Sequence, residues 1–413
     1  MLKTKKLTLN LVKISFFLML IYSVFFLAVL NLNIPRMTLI LGGLTVVFMI
    51  VDMFYTEFDL KRIFTAEVWL LLGFIAYCLL TSLLFADYKN SAVDGLITLI
   101  ENVVLMVVTV YLILRDKSIK FVAATFIIAM SLMAIYSLVN LENVTERLTL
   151  TESTNANVLG HNAMCALTLL PLFIKQGKRL RNLLLIAISV ALVATVILSG
   201  SRMSFICLIV FAVLFFIRVY PMSINSVKKS SIGIKLLVGV IAFAGVAFLI
   251  ISTMRGTLLY ERMESLFVVF ETGEGDGQGR IDLYERAWRL FKTNPITGVG
   301  YANYAASYHG TYSHSTYAEL LSCTGILGCL IFLAFYLRML IGAGKKRGEK
   351  GTPDLSRTIM LIAFAVIIVL GIGEIVFYKI NYFIIFGLII GNRILSKEKG
   401  ETHAEAESVA DSV

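Results

Sequence analysis

The sequence predicts an all-α integral membrane protein of about twelve transmembrane helices, with one large extracytoplasmic loop that contains short helices. Three observations predict it. Hydrophobic residues make up 58% of the 413 positions and charged residues only 15%, far outside the soluble range. Mostly apolar runs, many of about 17–22 residues, recur along the chain, and such runs cross a ~30 Å hydrocarbon core as helices. The basic residues between the runs alternate in density, as membrane topology requires.

The runs cover roughly 14–30, 37–54, 68–85, 95–114, 121–139, 158–174, 183–199, 203–217, 236–252, 315–337, 358–373 and 380–392. The first follows a basic start (Lys3, Lys5, Lys6). No small-residue cleavage site comes after it, so the helix is expected to be retained. The sixth is entered from a polar loop, Asn140 to Asn157, which puts His161 and Asn162 near its outer mouth. Ser199-Gly200-Ser201-Arg202 joins the seventh and eighth runs as a tight hairpin. A polar insert, 253–313, separates the ninth run from the tenth, which opens at His314. The tail, 396–413, is polar, small and charged and is expected to lack structure. The organisation expected is one membrane domain, 1–395, carrying the insert, and a cytoplasmic tail.

With the N-terminus in the cytoplasm, 26 of the 37 basic residues fall on inner segments, against five on the short outer loops. That asymmetry puts both termini inside. It also makes the net charge of +10 a topology signal and gives no indication of nucleic acid. The five cysteines (Cys78, Cys165, Cys207, Cys323, Cys329) lie within apolar runs and read as small buried hydrophobes. No Cys/His cluster has metal-ligand spacing, and there is no Gly-rich phosphate loop or nucleotide fingerprint.

Within the insert, Ile281 to Lys292 has helical periodicity. Ile281, Tyr284, Trp288 and Phe291 form an apolar stripe suited to the membrane surface. A flexible acidic stretch, 271–279, precedes it, and Pro295 with Gly298-Val-Gly300 ends it in a turn. The insert holds seven acids against six bases, so anion binding there must come from particular residues. Arg280 is the strongest candidate. Asp282 and Glu285 stand four residues before Arg286 and Arg289, whereas Arg280 has Tyr284 at the matching position and sits at the helix N-terminus, where an anion is favoured. Arg202, held at the outer membrane boundary, either snorkels to headgroups or faces a phosphate arriving from the lipid. Arg255 is a secondary candidate, like Arg262, with Glu261 and Glu264 as nearby ion-pair partners. His314 at its helix entrance suits a general base. Tyr317 shares its helix face. Glu319 lies five residues on, well round the helix, as an intramembrane carboxylate in its own right.

Three stretches taken in order resemble the O-antigen ligase and polymerase superfamily. They are Ser199-Gly-Ser-Arg202-Met-Ser, then Gly279-Arg280 with Trp288 and Asn294-Pro295-Ile-Thr-Gly298-Val-Gly300, then His314-Ser-Thr-Tyr317-Ala-Glu319-Leu-Leu-Ser-Cys-Thr-Gly325-Ile-Leu-Gly328. The resemblance covers roughly 155–340, and the twelve-helix layout with one late extracytoplasmic loop agrees with it. It implies an enzyme of the bacterial cytoplasmic membrane that transfers a glycan from undecaprenyl diphosphate to an acceptor sugar, without metal, nucleotide or other cofactor. It further implies Arg202 and Arg280 binding the donor diphosphate and His314 acting at the acceptor hydroxyl. The donor carries its own leaving group, so the chemistry needs charge stabilisation and a positioned base. Nothing in the chain indicates a separate acceptor, which favours polymerisation over ligation. A polytopic transporter or a flippase of lipid-linked oligosaccharide is the rival reading. Against the transporter, no internal repeat is seen.

Overall fold

The computed structural model describes residues 2–26, 37–141, 148–149, 155–175, 177–219, 278–344 and 354–410, and among them there is no strand. In order the helices are α1 (Leu2–Ile21, continued by a π turn to Phe26), α2 (Met37–Thr56), α3 (Ala66–Phe85), α4 (Lys89–Asp116), α5 (Lys120–Val139), α6 (Ala156–Leu169) and α7 (Arg179–Leu198). After them come α8 (Arg202–Leu214), α9 (Gln278–Thr293), α10 (Asn303–Ser307), α11 (Thr316–Gly344), α12 (Leu355–Leu370) and α13 (Ile380–Ala410). Among the described residues ten helical stretches are long and apolar enough to cross a membrane, and α12 is a shorter apolar helix. These correspond to every predicted run except the ninth. That run, 236–252, lies outside the described residues, as do Arg255 and Arg262.

The bundle has two chemically different ends. At the end where the chain enters α1 and leaves along α13, buried acids are neutralised by arginines. Arg393 forks onto both oxygens of Glu67 at the base of α3, with Arg338 3.4 Å away. Arg115 holds the buried Asp52 at 2.7 and 3.1 Å, and Tyr111 and Thr8 donate to the same carboxylate. Arg62 pairs with Glu398 across the same end. A charge taken out of water needs such a partner, or it costs several kcal/mol. One expectation is corrected here. Residues 396–410 continue α13 as helix, because that stretch is rich in Glu, Ala and Lys, which favour helix whether or not they can form a core.

At the opposite end the described part of the insert folds back onto the bundle. α11 breaks at Gly325 (φ 61°, ψ −167°), a conformation only glycine adopts without strain. The break frees the N–H groups of Ile326 and Leu327, which donate to the carbonyls of Pro295 and Ile296 at 2.9 and 3.3 Å. In return, the N–H groups of Val299 and Gly300 donate to the carbonyls of Ser322 and Cys323 at 3.0 and 3.1 Å. Tyr77 on α3 caps the Thr324 carbonyl at 2.8 Å. Irregular backbone at membrane depth survives only where the protein itself supplies its hydrogen bonds, and here two irregular segments satisfy each other. Their approach is too close for side chains: a Cβ on Gly298 would lie 2.3 Å from the Cys323 carbonyl carbon, and one on Gly325 would lie 2.4 Å from the Ile296 oxygen. The Gly-rich stretches that carry the family resemblance are thus the two halves of one joint, which sets where α9 and the start of α11 stand.

Candidate active site

The turn after α12, Gly371-Ile372-Gly373-Glu374, is the hub of the site. Thr316, the first residue of α11, clasps it: its N–H donates to the carbonyls of Gly371 and Glu374 at 2.8 and 3.0 Å. Its hydroxyl donates to the Glu374 carbonyl at 2.7 Å and accepts from the Val376 N–H at 2.9 Å. From α9, Tyr284 donates its hydroxyl to the Ile372 carbonyl at 3.0 Å. From α8 and α9 together, Met203 and Arg280 press on Gly373, where an added Cβ would lie 2.3 Å from Met203 Cγ and 3.1 Å from Arg280 Nη1. Helices far apart in sequence therefore bring Arg280 and Met203, the residue after Arg202, to one turn, and His314 lines a cavity with Glu374 of that turn.

Arg202 is the first helical residue of α8, behind the N-cap Ser201, whose hydroxyl accepts from the Ser204 N–H. Arg280 lies in the first turn of α9, half-buried, and among the described residues it has no ion-pair or hydrogen-bond partner. The predicted pair Glu285–Arg289 does not form either, since both side chains stay exposed and an exposed pair is worth less than about 1 kcal/mol. Arg286 instead stacks over the Tyr308 ring at 5.2 Å. The predicted surface stripe is split. Ile281 and Trp288 stay exposed and Trp288 stacks on Phe291 at 5.1 Å, whereas Tyr284 turns into the hub.

His314 is half-buried and takes a left-handed backbone conformation (φ 55°), one that few non-glycine residues adopt. The conformation is held from behind. Glu319, fully buried, accepts the Ser313 N–H at 3.1 Å and the Tyr378 hydroxyl at 3.4 Å. Helix spacing alone places this acid badly for orienting His314, yet it does so through the backbone of the preceding residue. Burial lowers the His314 pKa below its ordinary value; the charge of Arg280 pushes the same way, Glu374 opposes it, and Lys379 adds to the lowering. The imidazole is neutral at neutral pH and able to accept a proton.

Glu374 receives a second histidine. His161, buried in α6, places Nδ1 3.0 Å from its carboxylate and Nε2 3.4 Å from the Ser201 hydroxyl. Burial opposes ionisation of Glu374, but the hydrogen bond and charge of His161, with Lys379 and the Ile375 N–H, outweigh it and hold the carboxyl down at about 2. A cavity of about 520 Å³ opens beside these groups, lined by His314 and Glu374 together with Asp94, Tyr312, Tyr378 and Lys379 among others.

Of the secondary candidates, Asn162 is occupied within the bundle. It accepts from Asn381 at 2.7 Å, and so ties α6 to α13. Tyr317 donates to the Ile368 carbonyl at 2.8 Å on α12. Both are used in packing because polar groups in an apolar bundle must find a partner. Glu374, Lys379, Tyr312 and Asp94 are not among the residues that sequence reading singles out. Signals for two of them are present: Glu374 is an acid in a four-residue turn between apolar helices, and Ser91, Asp94 and Thr98 recur at helical spacing on the first turns of α4.

Residues 186–333 match a family model described as O-antigen ligase. The match includes Arg202, Arg280, His314 and Glu319, and excludes His161, Glu374 and Asp94. No curated protein matches the chain.

Proposed function

With an O-antigen ligase domain at residues 186–333 as the premise, we propose that this membrane enzyme of polysaccharide synthesis transfers the glycan of an undecaprenyl-diphosphate donor onto an acceptor sugar. We further propose that it does so at the extracytoplasmic face, with both termini in the cytoplasm. One observation carries the reading: a half-buried arginine without a counter-ion among the described residues, Arg280, meets Gly373 in the same turn whose Glu374 lines one cavity with the half-buried His314. A partly desolvated cation that no described residue neutralises favours a bound anion, and the diphosphate is that anion.

In the reaction an acceptor hydroxyl attacks the anomeric carbon of the donor glycan. The bond from that carbon to the diphosphate oxygen breaks, and the hydroxyl proton passes to His314. The charge developing on the leaving diphosphate is met by Arg280 and Arg202, whose planar forks match phosphate oxygens. Glu319 and Thr316 are positioning residues, acting through the backbone before His314 and through the hub turn. Repeated transfer to the growing chain would make the enzyme a polymerase, the form favoured here.

The test is reconstitution of the purified protein in liposomes with lipid-linked donor and acceptor on the same side. A ladder of products is expected, and a single addition would indicate a ligase. Movement of the lipid-linked glycan across the bilayer without any new glycosidic bond would overturn the reading in favour of a carrier.

A further inference from the structure

The cavity beside His314 is electrostatically unlike a phosphate site. Two carboxylates, Asp94 and Glu374, face it against one ammonium, Lys379, and neither Arg202 nor Arg280 lines it. Glu374 is committed to His161. Asp94 is exposed, and among the described residues its carboxylate has no hydrogen-bond or ion-pair partner. Tyr312 presents a ring that is 46% exposed, braced edge-on against Tyr378 at 5.8 Å. Tyr378 is in turn fixed by its hydrogen bond to Glu319. An aromatic platform, a carboxylate acceptor that no described residue engages and an ammonium donor, with the small residues Gly95 and Ala302 also in the lining, suit a hydroxyl-rich, ring-shaped ligand. A pocket with one apolar face and a few placed polar groups fixes the orientation of such a ligand. The opposing carboxylates disfavour a diphosphate.

We propose that this cavity is the subsite for the acceptor sugar, with Asp94 accepting from a sugar hydroxyl and Tyr312 stacking on the ring. His314 then stands on the boundary between two compartments. His314 lines the cavity and Arg280 does not, so that the attacking hydroxyl would be held in the cavity and the diphosphate outside it. The proposal rests on the transfer reaction argued above.

Two measurements test it. The first uses oligosaccharides released by mild acid from the lipid-linked glycans of the cells that make the protein. Thr98→Cys, on the cavity wall, is labelled with a water-soluble methanethiosulfonate, and Thr311→Cys, exposed and outside the cavity lining, serves as control. Four native cysteines are buried and Cys329 is half-buried within α11. The oligosaccharides are expected to protect the thiol of the Thr98→Cys variant and leave that of Thr311→Cys reactive, while inorganic pyrophosphate protects neither. In the second, Asp94→Ala and Tyr312→Ala are assayed for transfer with the same oligosaccharides as acceptor. Asp94→Ala should raise the acceptor KM by about tenfold or more, the scale of one lost hydrogen bond to a charged group, and Tyr312→Ala by about threefold to tenfold, the scale of a lost ring contact. Normal KM in both variants, together with an unprotected thiol on the cavity wall, would overturn the subsite while leaving the transferase reading intact. Protection of that thiol in a protein that forms no glycosidic bond would keep the sugar site and remove the transferase reading. Protection by pyrophosphate would assign the cavity to the donor.

Discussion

A cation that no described residue pairs with and a neutral base are the two side chains on which this site turns, and each makes a prediction. Arg280→Ala and Arg202→Ala are each expected to abolish glycan transfer with expression intact, and lysine should restore little because it lacks the bidentate fork. Arg289→Ala, on the exposed face of α9, should change transfer by less than about fivefold, since an exposed contact is worth less than about 1 kcal/mol. Equal tolerance of all three in a transfer assay would remove the case for a dedicated anion site. For His314 the sign follows from its surroundings. Burial and Arg280 lower its pKa, so the acid limb of the pH–rate profile should lie below the ordinary imidazole value of ~6.5. Lys379→Met removes a lowering charge and should move the limb to higher pH; Glu374→Gln removes a raising charge and should move it to lower pH. His314→Ala should lose turnover by ~10²–10⁴-fold and lose that limb, while still binding donor. Loss of donor binding in place of turnover would assign His314 to the diphosphate.

Between secondary-structure elements, the site depends on two close backbone approaches. The joint between 294–300 and the break in α11 requires glycine at 298 and 325. Gly325→Ala combines a left-handed conformation with overlap on the Ile296 carbonyl, a strain of roughly 1–3 kcal/mol before the overlap is counted. A lower Tm of the detergent-solubilised protein and a poor yield are expected, and an unchanged Tm would show that the joint is not under this constraint. Gly373→Ala acts differently. Its methyl would lie 2.3 Å from Cγ of the buried Met203, which must repack, and 3.1 Å from Arg280 Nη1, the far end of a flexible side chain that can swing aside. A fall in Tm smaller than at Gly325 is expected, while transfer falls by about 10- to 100-fold as the guanidinium is displaced, in keeping with the cost of misplacing a catalytic group. The two glycines differ in what an added methyl meets, backbone at 325 and side chains at 373.

Across the bundle as a whole, the ion-paired end and the hub end lie on opposite faces, and we propose that the hub end is extracytoplasmic. Single cysteines introduced by Thr311→Cys and Lys397→Cys should react only from outside and only from inside, respectively, with a membrane-impermeant reagent in intact cells. Reaction of Thr311→Cys from the cytoplasmic side would overturn the map and the mechanism together. Much of this arrangement is legible in the amino acids taken in order. Helix limits follow from the length of apolar runs, because a bilayer leaves a backbone few ways to satisfy itself. Arg280 stands out because it opens its helix, where an anion is favoured, while Arg286 and Arg289 follow acids four residues back in the same helix, and His314 because it sits at a helix entrance. Residues 396–410 depart from expectation because a polar composition argues against a core but not against a helix. Chain order does not reveal the hub. Glu374 meets His161 across 213 positions, and Asp94 faces His314 from α4, joined only by the packing of the helices. Local pattern reports what a residue prefers beside its neighbours in sequence, and it carries no information on a partner far along the chain. Amino-acid order alone is therefore enough for the membrane-spanning class, the helices and the candidate cations and base. Which turn they gather on, which acid holds His314 in place and which cavity opens beside it are set in three dimensions, since each depends on how helices distant in the chain pack against one another.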